Sequence, residues 1–501
     1  MGWIKTMIKN YLDIKESENG MTIDIDQLFN FESNVFRNKI WYRGEPNELE
    51  ALYKQLNDTL GNKHFWGSKP TVGMNIRKIH TGLPSLIVDT LTDIVVDDLS
   101  AIKLSERQEE WDEMASEEEN NFKDIIKTAV LDILYLGDGA FKISVDESVS
   151  KYPILEFFGA DRVDFEYNRG RIIAVIFKTK KTINKKEYTL KERYSKRGIE
   201  YKLYNKEEKE MDIREFEALK DYHEDVINKA EFMMAIPLRF RNSIKYSGRG
   251  KSLFEGKTDD FDAFDEVFSQ WMLAVRKGQI KEYIPEMYLP RNPKTGAVMK
   301  SNDMDNSFVS IESDMTENGK NEIRTTQGNI QYEALQSTYV TALDLCLQGI
   351  ISPSTLGIDV KKLDNAEAQR EKEKVTLYRR NQIVDSLIKI IPKVVKAMLQ
   401  TYDNMKEDVY KEIEITASFG GYANPSFEAQ VETVGKAATN NTMSIETQVE
   451  ELWGDDKDEE WKNAEVARIK AEKGVFEALE PSVNQDNLNN EIINEELENI
   501  E

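Results

Sequence analysis

The segment Gly248-Arg249-Gly250-Lys251-Ser252 is the part of this sequence closest to a phosphate-binding loop. A P-loop needs a glycine five residues before Gly250, and Lys245 occupies that position. Ser252 and Glu255 instead have the spacing of a helix capping box. We therefore expect the start of a helix here and no bound nucleotide.

Residue types that bind metals or act as nucleophiles are few and scattered. Asp303 and Asp305 begin like a calcium loop, but Phe308 replaces the glycine that such a loop needs next. The single cysteine, Cys346, lies in an apolar run and has no partner for an internal disulfide, so we expect an inert buried thiol. The histidines are dispersed, at His64, His80 and His223. We expect no metal and no cofactor.

Two acidic pairs are the remaining candidates for catalysis. Asp24 with Asp26, and Asp97 with Asp98, have the form that an enzyme acting on nucleic acid would use. Such an enzyme also needs a basic cleft, and each pair is better explained as a turn or a helix edge. We therefore expect a protein that is not an enzyme, and we keep a nucleic-acid enzyme as an alternative.

The composition is that of a soluble, folded and strongly acidic protein. The chain has 501 residues, with 91 acidic against 67 basic side chains and a formal net charge of −24. Its longest apolar stretches, such as residues 86–96, contain aspartates and fall short of the roughly 20 residues of a membrane span. Beyond Lys473 only acids accumulate among asparagines, which predicts a disordered tail. We expect no membrane segment.

A change of hydrophobic period divides the first half of the chain. Helical patterns dominate to about residue 135, and period-two alternation between residues 141 and 204 predicts an antiparallel meander. We interpret its basic cluster as solvated strand edges, with phosphate binding as the alternative. The cluster comprises Lys178, Lys180, Lys181, Lys185, Lys186, Lys191, Arg193, Lys196 and Arg197.

Two helices with heptad spacing carry the strongest signal. Residues 258–278 and 334–348 each place apolar side chains three and four residues apart, and short strands are predicted between them. A seam on short isolated helices needs a partner, because the chain offers few places to bury Phe261, Phe268 and Trp271. We predict a homo-oligomer. The predicted subunit interface comprises Phe261, Phe264, Phe268, Trp271, Val275, Leu335 and Tyr339.

A loop without helical character separates the second heptad helix from a longer one. Pro353 and Gly357 break the helix, and the new helix begins near Asn365 and contains Pro392, where we expect a kink. A strand at 412–419 and helices from 427 to 473 follow. The loop spans residues 352–364 and includes Ser352, Pro353, Ser354, Thr355, Leu356, Gly357, Lys361 and Lys362.

The order of these modules resembles that of tailed-bacteriophage portal proteins of the siphophage type. The resemblance covers roughly residues 30–473. It rests on Leu136-Gly137-Asp138-Gly139-Ala140-Phe141-Lys142 after a helix, on Gly250-Lys251-Ser252 before the first heptad helix, and on the interrupted helix pair. It also rests on Ile415-Thr416-Ala417-Ser418-Phe419, followed by Met443-Ser444-Ile445-Glu446-Thr447 and an acidic helix at 451–472.

This resemblance implies an α+β, mainly helical portal fold that assembles into a ring, usually of twelve subunits, around a channel for double-stranded DNA. Residues 1–251 would form the N-terminal part of a β-rich wing and 365–421 its long helix and return strand. The stem helices would be 252–278 and 333–351, with a small β clip at 279–332 between them. Residues 352–364 would be a tunnel loop facing DNA, 422–473 the crown and 474–501 the acidic tail.

The resemblance also implies partners and a location. A portal ring occupies one capsid vertex of the virion after assembly in the host bacterial cytoplasm. There it docks the terminase large subunit, then the head-completion adaptor, and it contacts the major capsid or scaffold protein. Double-stranded DNA would pass non-specifically during packaging and ejection. The alternative is another ring- or filament-forming structural protein without a DNA channel.

Overall fold

The computed structural model describes residues 30–60, 64–69, 76–222, 225–227, 231–298, 308–313, 321–358, 366–420, 427–440, 442–453, 457 and 459–472. It confirms the α+β class, with helices and several small sheets. The chain divides into two units, Met1–Gly420 and Gly421–Glu501. In the described part of the chain, no helix is both long enough and apolar enough to cross a membrane.

The first unit begins with helices that supply much of its main core. Asn30 caps the first helix by accepting the backbone N–H of Ser33 at 2.7 Å. The third helix buries Ile87, Leu91 and Val95 on one face. The elements are α1 (Phe31–Arg43), α2 (Pro46–Leu60), α3 (Leu83–Asp97), β1 (Leu99–Leu104), α4 (Gln108–Ala115) and α5 (Phe122–Leu136).

The predicted meander forms two antiparallel sheets. One has the order β10-β2-β3, and the other has the order β4-β5-β6-β7-β8, with β9 paired to β7. Phe177 and Tyr194 pack edge to face at 5.2 Å in the core of the larger sheet. The strands are β2 (Asp138–Ser144), β3 (Ile154–Gly159), β4 (Val163–Asn168), β5 (Arg171–Ile183), β6 (Lys186–Ser195), β7 (Gly198–Asn205), β8 (Glu210–Met211), β9 (Val226–Ile227) and β10 (Ala235–Arg239).

Asp138 lies in a strand, where the sequence predicts a turn. It is fully buried, and its carboxylate accepts the Arg249 guanidinium at 2.9 Å and the backbone N–H of Gly250 at 2.6 Å. Burial raises the pKa of this carboxyl, an effect that Arg249 and the Gly250 N–H oppose. A Cβ on Gly137 would lie 2.6 Å from the Gly250 carbonyl oxygen, so the two backbones approach too closely for a side chain.

The predicted helix–insertion–helix arrangement is present with shifted boundaries. The Ser252 hydroxyl accepts the N–H of Glu255 at 3.2 Å, but this closes a turn and the helix begins only at Thr258. The insertion forms a sheet of order β12-β11-β13. The elements are α6 (Thr258–Lys277), β11 (Lys281–Pro285), β12 (Phe308–Ile311), β13 (Arg324–Thr326) and α7 (Tyr332–Leu347).

The longest helix closes the core of the first unit. Helix α8 (Ala366–Met405) runs through Pro392 as one element and buries Leu387, Ile391 and Val394. Strand β14 (Ile415–Phe419) returns to pair antiparallel with β1. The strand predicted at 412–419 is therefore present over the shorter range Ile415–Phe419.

Among its described residues, the second unit contains three helices, α9 (Phe427–Thr439), α10 (Ile445–Trp453) and α11 (Glu459–Glu472). Trp453 and Trp461 pack edge to face with ring centroids 5.7 Å apart. The buried Lys462 ammonium lies 2.8 Å from the Glu450 carboxylate. The acidic tail at 474–501 lies outside the described residues.

Candidate functional site

Helices α6 and α7 form an antiparallel pair joined by the β insertion. Tyr339 is the centre of their contact, with its ring 5.0 Å from Phe264, 6.2 Å from Phe268 and 5.5 Å from Trp271. At one end of the pair, the Cys346 thiol donates to the Asp260 carbonyl at 3.3 Å. The predicted seam residues therefore meet, but they meet each other within one chain.

The expectation that the chain cannot bury Phe261 is wrong. Phe261 is only 1% exposed and packs on Trp41 at 5.8 Å and on Phe254 at 5.5 Å. Phe264 is likewise buried, at 2% exposure. Both side chains belong to the core of their own subunit, so the predicted interface role does not apply to them. The N-terminal half of α6 is a core helix.

Two aspartates fix that half of α6 to the segment before α3. The Asp262 carboxylate accepts the backbone N–H groups of Phe65 at 2.8 Å and Trp66 at 3.1 Å. Burial raises the pKa of Asp262, and the two N–H groups act in the opposite direction. Asp262 is thus a buried hydrogen-bond acceptor.

Asp265 forms the larger part of this anchor. One carboxylate oxygen accepts the N–H of Thr81 at 3.0 Å and its hydroxyl at 2.9 Å. The other lies 3.1 Å from the Trp66 indole nitrogen and 2.7 Å from His80 Nδ1. Ser269, one turn further along, accepts the N–H of Ile79 at 3.0 Å. A polar stripe at i, i+3 and i+7 therefore ties two separate segments to α6.

The outer faces of the two helices, which point away from the contact around Tyr339, are partly exposed. Helix α7 has no buried residue before Ala342. Apolar side chains on these faces reach solvent: Val275 is 41% exposed, Ile280 55%, Tyr332 59% and Leu345 48%. Leu335, a predicted interface residue, is half-buried in the groove between the two helices. Apolar side chains at both ends of the helix pair are therefore left uncovered by the described part of the chain.

Cys346, near the end of α7, is buried, in contrast to these exposed side chains. Its thiol is fully buried, as the sequence predicts, and burial raises its pKa to about 12. The thiol therefore remains protonated and unreactive at neutral pH.

The loop after α7 is partly anchored rather than free. Ser352 is buried, and its N–H donates to the Thr376 hydroxyl of α8 at 2.9 Å. The Thr355 hydroxyl lies 3.1 Å from the same Thr376 oxygen. The Ser352 hydroxyl lies 2.7 Å from that of Ser354, and the channel-facing role of the loop stays a prediction. Lys361 and Lys362 lie outside the described residues.

The glycine-rich segment already holds an anion of its own. The Gly250 N–H, which a phosphate-binding loop would direct at a ligand, donates to the Asp138 carboxylate. Across the described ranges, no group of three or more His, Cys, Asp or Glu side chains is arranged to hold a metal ion.

No protein-family model matches the chain, and no curated protein sequence matches it. Among solved structures, a chain of the neck of an empty gene transfer agent (GTA) particle, computed with C6 symmetry, is similar at 12% identity and a TM-score of 0.39. The match covers 75% of this chain and 92% of that one. A chain of the neck of a native GTA particle, computed with C12 symmetry, is similar at 10% identity and a TM-score of 0.39, covering 78% and 91%. Both are remote likenesses.

The Asp265 anchor is directly testable. Asp265→Ala leaves the Trp66 indole N–H and the Thr81 N–H buried without an acceptor, so we expect a loss of about 3 kcal/mol in the free energy of unfolding. Urea denaturation followed by tryptophan fluorescence measures it. Asp259→Ala is the matched control, because that side chain is 82% exposed on the same helix, and it should change stability by less than about 1 kcal/mol. Equal effects of the two variants would contradict the anchor.

Proposed function

We propose that this chain is the subunit of a closed homo-oligomeric ring. The observation that carries the proposal is the exposure of separate apolar side chains on the outer faces of the helix pair and just beyond it, at Val275, Ile280, Tyr332 and Leu345. A pair of helices buries only the faces that meet, so the outward faces need a further layer. A second copy of the chain supplies that layer.

The geometry favours closure over a simple dimer. The exposed residues lie on both α6 and α7, which face different neighbours if subunits repeat around an axis. Such head-to-tail contacts generate rings when the rotation closes and filaments when it does not. The N-terminal half of α6 remains in its own core and sets the direction in which the pair leaves each subunit.

We propose further that the ring is a phage portal, the channel through which double-stranded DNA is packaged and ejected. The module order supports this, with a helix pair that carries a β insertion, a loop and a long helix. The net charge of −24 also suits a conduit, because many lysine–phosphate contacts would bind DNA strongly and stall its movement. In this proposal the ring has twelve subunits, sits at a capsid vertex, and docks the terminase large subunit and later the head-completion adaptor.

The ring proposal also assigns no catalysis to the chain, so the packaging motor is another protein. Supporting this, Asp138 occupies the N–H group that a nucleotide phosphate would need at Gly250.

The first prediction concerns assembly. Light scattering and negative-stain images of the purified protein should show closed rings, and Val275→Asp with Tyr332→Asp should shift the protein towards smaller species by placing charge on the contact. Val149→Asp is the control, since Val149 is 72% exposed elsewhere. Phe268 is less suitable for this test, because it packs on Tyr339 within the chain and its substitution would also affect folding. A monomer of 57.9 kDa in low and moderate salt would refute the ring, and open filaments would favour the alternative without a channel.

The second prediction concerns the loop. Deleting Thr355–Ile358, or changing Lys361 and Lys362 to glutamate, should leave rings intact while reducing the DNA held per head. Genome length inside purified heads is the measurement. Unchanged packaging would remove the loop from the mechanism and leave the ring proposal standing.

The third prediction concerns nucleotides. The purified chain should not hydrolyse ATP above the background of a mock preparation. ATP turnover that disappears in Lys251→Ala would overturn the assignment of a non-enzymatic role.

A further inference from the structure

The ring proposal gives no role to the basic cluster on the sheet β4–β8. Between residues 171 and 197 the only acids are Glu187 and Glu192, in a chain whose net charge is −24. The structure divides these basic residues into those with acidic partners and those without. Only the basic residues without an acidic partner are available to bind an anionic ligand.

Two basic residues in the middle of the sheet, Arg193 and Lys178, have acidic partners. Arg193 is held by two carboxylates, Glu166 at 2.8 Å and Glu200 at 3.0 Å. The bond to Arg193 lowers the pKa of Glu166. Lys178 lies 2.6 Å from Asp164. These acids are therefore not free to neutralise the cations at the end of the sheet.

Two neighbouring turns form that end. Strands β5 and β6 are in register with Ala174 opposite Ser195, so the β4–β5 turn and the β6–β7 turn lie side by side. Their centres are two strand intervals apart, about 10 Å. The turns carry four exposed basic side chains and no acid, and none of the four has an ion-pair partner among the residues that the structure describes. We call this surface the basic turn pair; it consists of Arg169, Arg171, Lys196 and Arg197.

We propose that the basic turn pair binds the sugar-phosphate backbone of duplex DNA without sequence preference. Arginine forks match phosphate oxygens, and three of the four side chains are arginines. The chain as a whole carries a net charge of −24, so a basic surface without acids is where DNA can approach it. The site is separate from the helix pair and the loop, and it does not require that the protein form a channel.

The surface around the turns favours nucleic acid over an acidic protein. A specific protein interface has an apolar centre, whereas phosphate contacts need none. Of the apolar side chains near these turns, Ile173 is 42% exposed, Val226 beside Ile199 is 47% exposed, and Tyr167 is 37% exposed but bonded to the Gly248 carbonyl. Three partly exposed side chains on three different strands do not make such a centre.

Binding of the full-length protein to a short fluorescent DNA duplex, measured by anisotropy over a range of salt concentrations, tests the proposal. Replacing all four side chains by glutamine should reduce the slope of log K against log salt by about 3 to 4, because each phosphate contact contributes about 0.9. The control carries the same charge change at the opposite end of the strands, through glutamine at Lys180, Lys185, Lys186 and Lys206, and should keep most of the slope.

Each of the following outcomes would contradict the proposal. Absence of binding by the wild-type protein at low salt would overturn the proposal, and so would equal losses in the two variants, since binding would then follow net charge alone. Equal affinity for polyglutamate would assign the surface to an acidic protein instead. Testing Arg169 with Arg171, and Lys196 with Arg197, as separate pairs keeps the result interpretable if the fourfold variant misfolds; each pair should reduce the slope by about 2.

Discussion

The division of α6 into a buried half and an exposed half is the constraint on which the rest of the structure depends. Phe261 and Phe264 place its first turns in the core, and Asp262 and Asp265 tie those turns to the segments around Trp66 and Thr81. Because these contacts fix the position of the N-terminal half of α6, they also fix the direction in which its C-terminal half extends from the core. Its continuation, with α7 and the β insertion, is positioned by that anchor.

The anchor also explains why polar groups are buried at the base of the helix pair. Apolar packing alone would allow α6 to slide or rotate by small steps, whereas carboxylates that accept several directed hydrogen bonds permit one arrangement. In the proposed ring each subunit would contact neighbours on both sides, and an angular error at each contact would accumulate around the closed assembly. There the buried acids would connect core stability with the geometry of assembly.

The sequence predicted the positions of helices and strands better than the burial and the partners of their side chains. Period and turn residues located α6, α7, the three strands between them and the helices after residue 427, because these signals are local. The burial of Phe261 was missed, since a heptad pattern shows that a face is apolar and does not show what covers it. The pairing of Asp138 with Arg249 was also missed, because it joins residues 111 apart in sequence. No local pattern distinguishes such an aspartate from one in a surface turn.

The exposed first turns of α7 have a consequence for how this chain tolerates change. In the isolated chain, a substitution at Tyr332, which is 59% exposed, removes few contacts, so a selection for folding alone should accept many residue types there. If the chain forms the proposed ring, a selection for assembly should be far stricter at the same exposed positions. The positions where two such mutational maps differ would outline the contact between neighbours without any structure of the assembly.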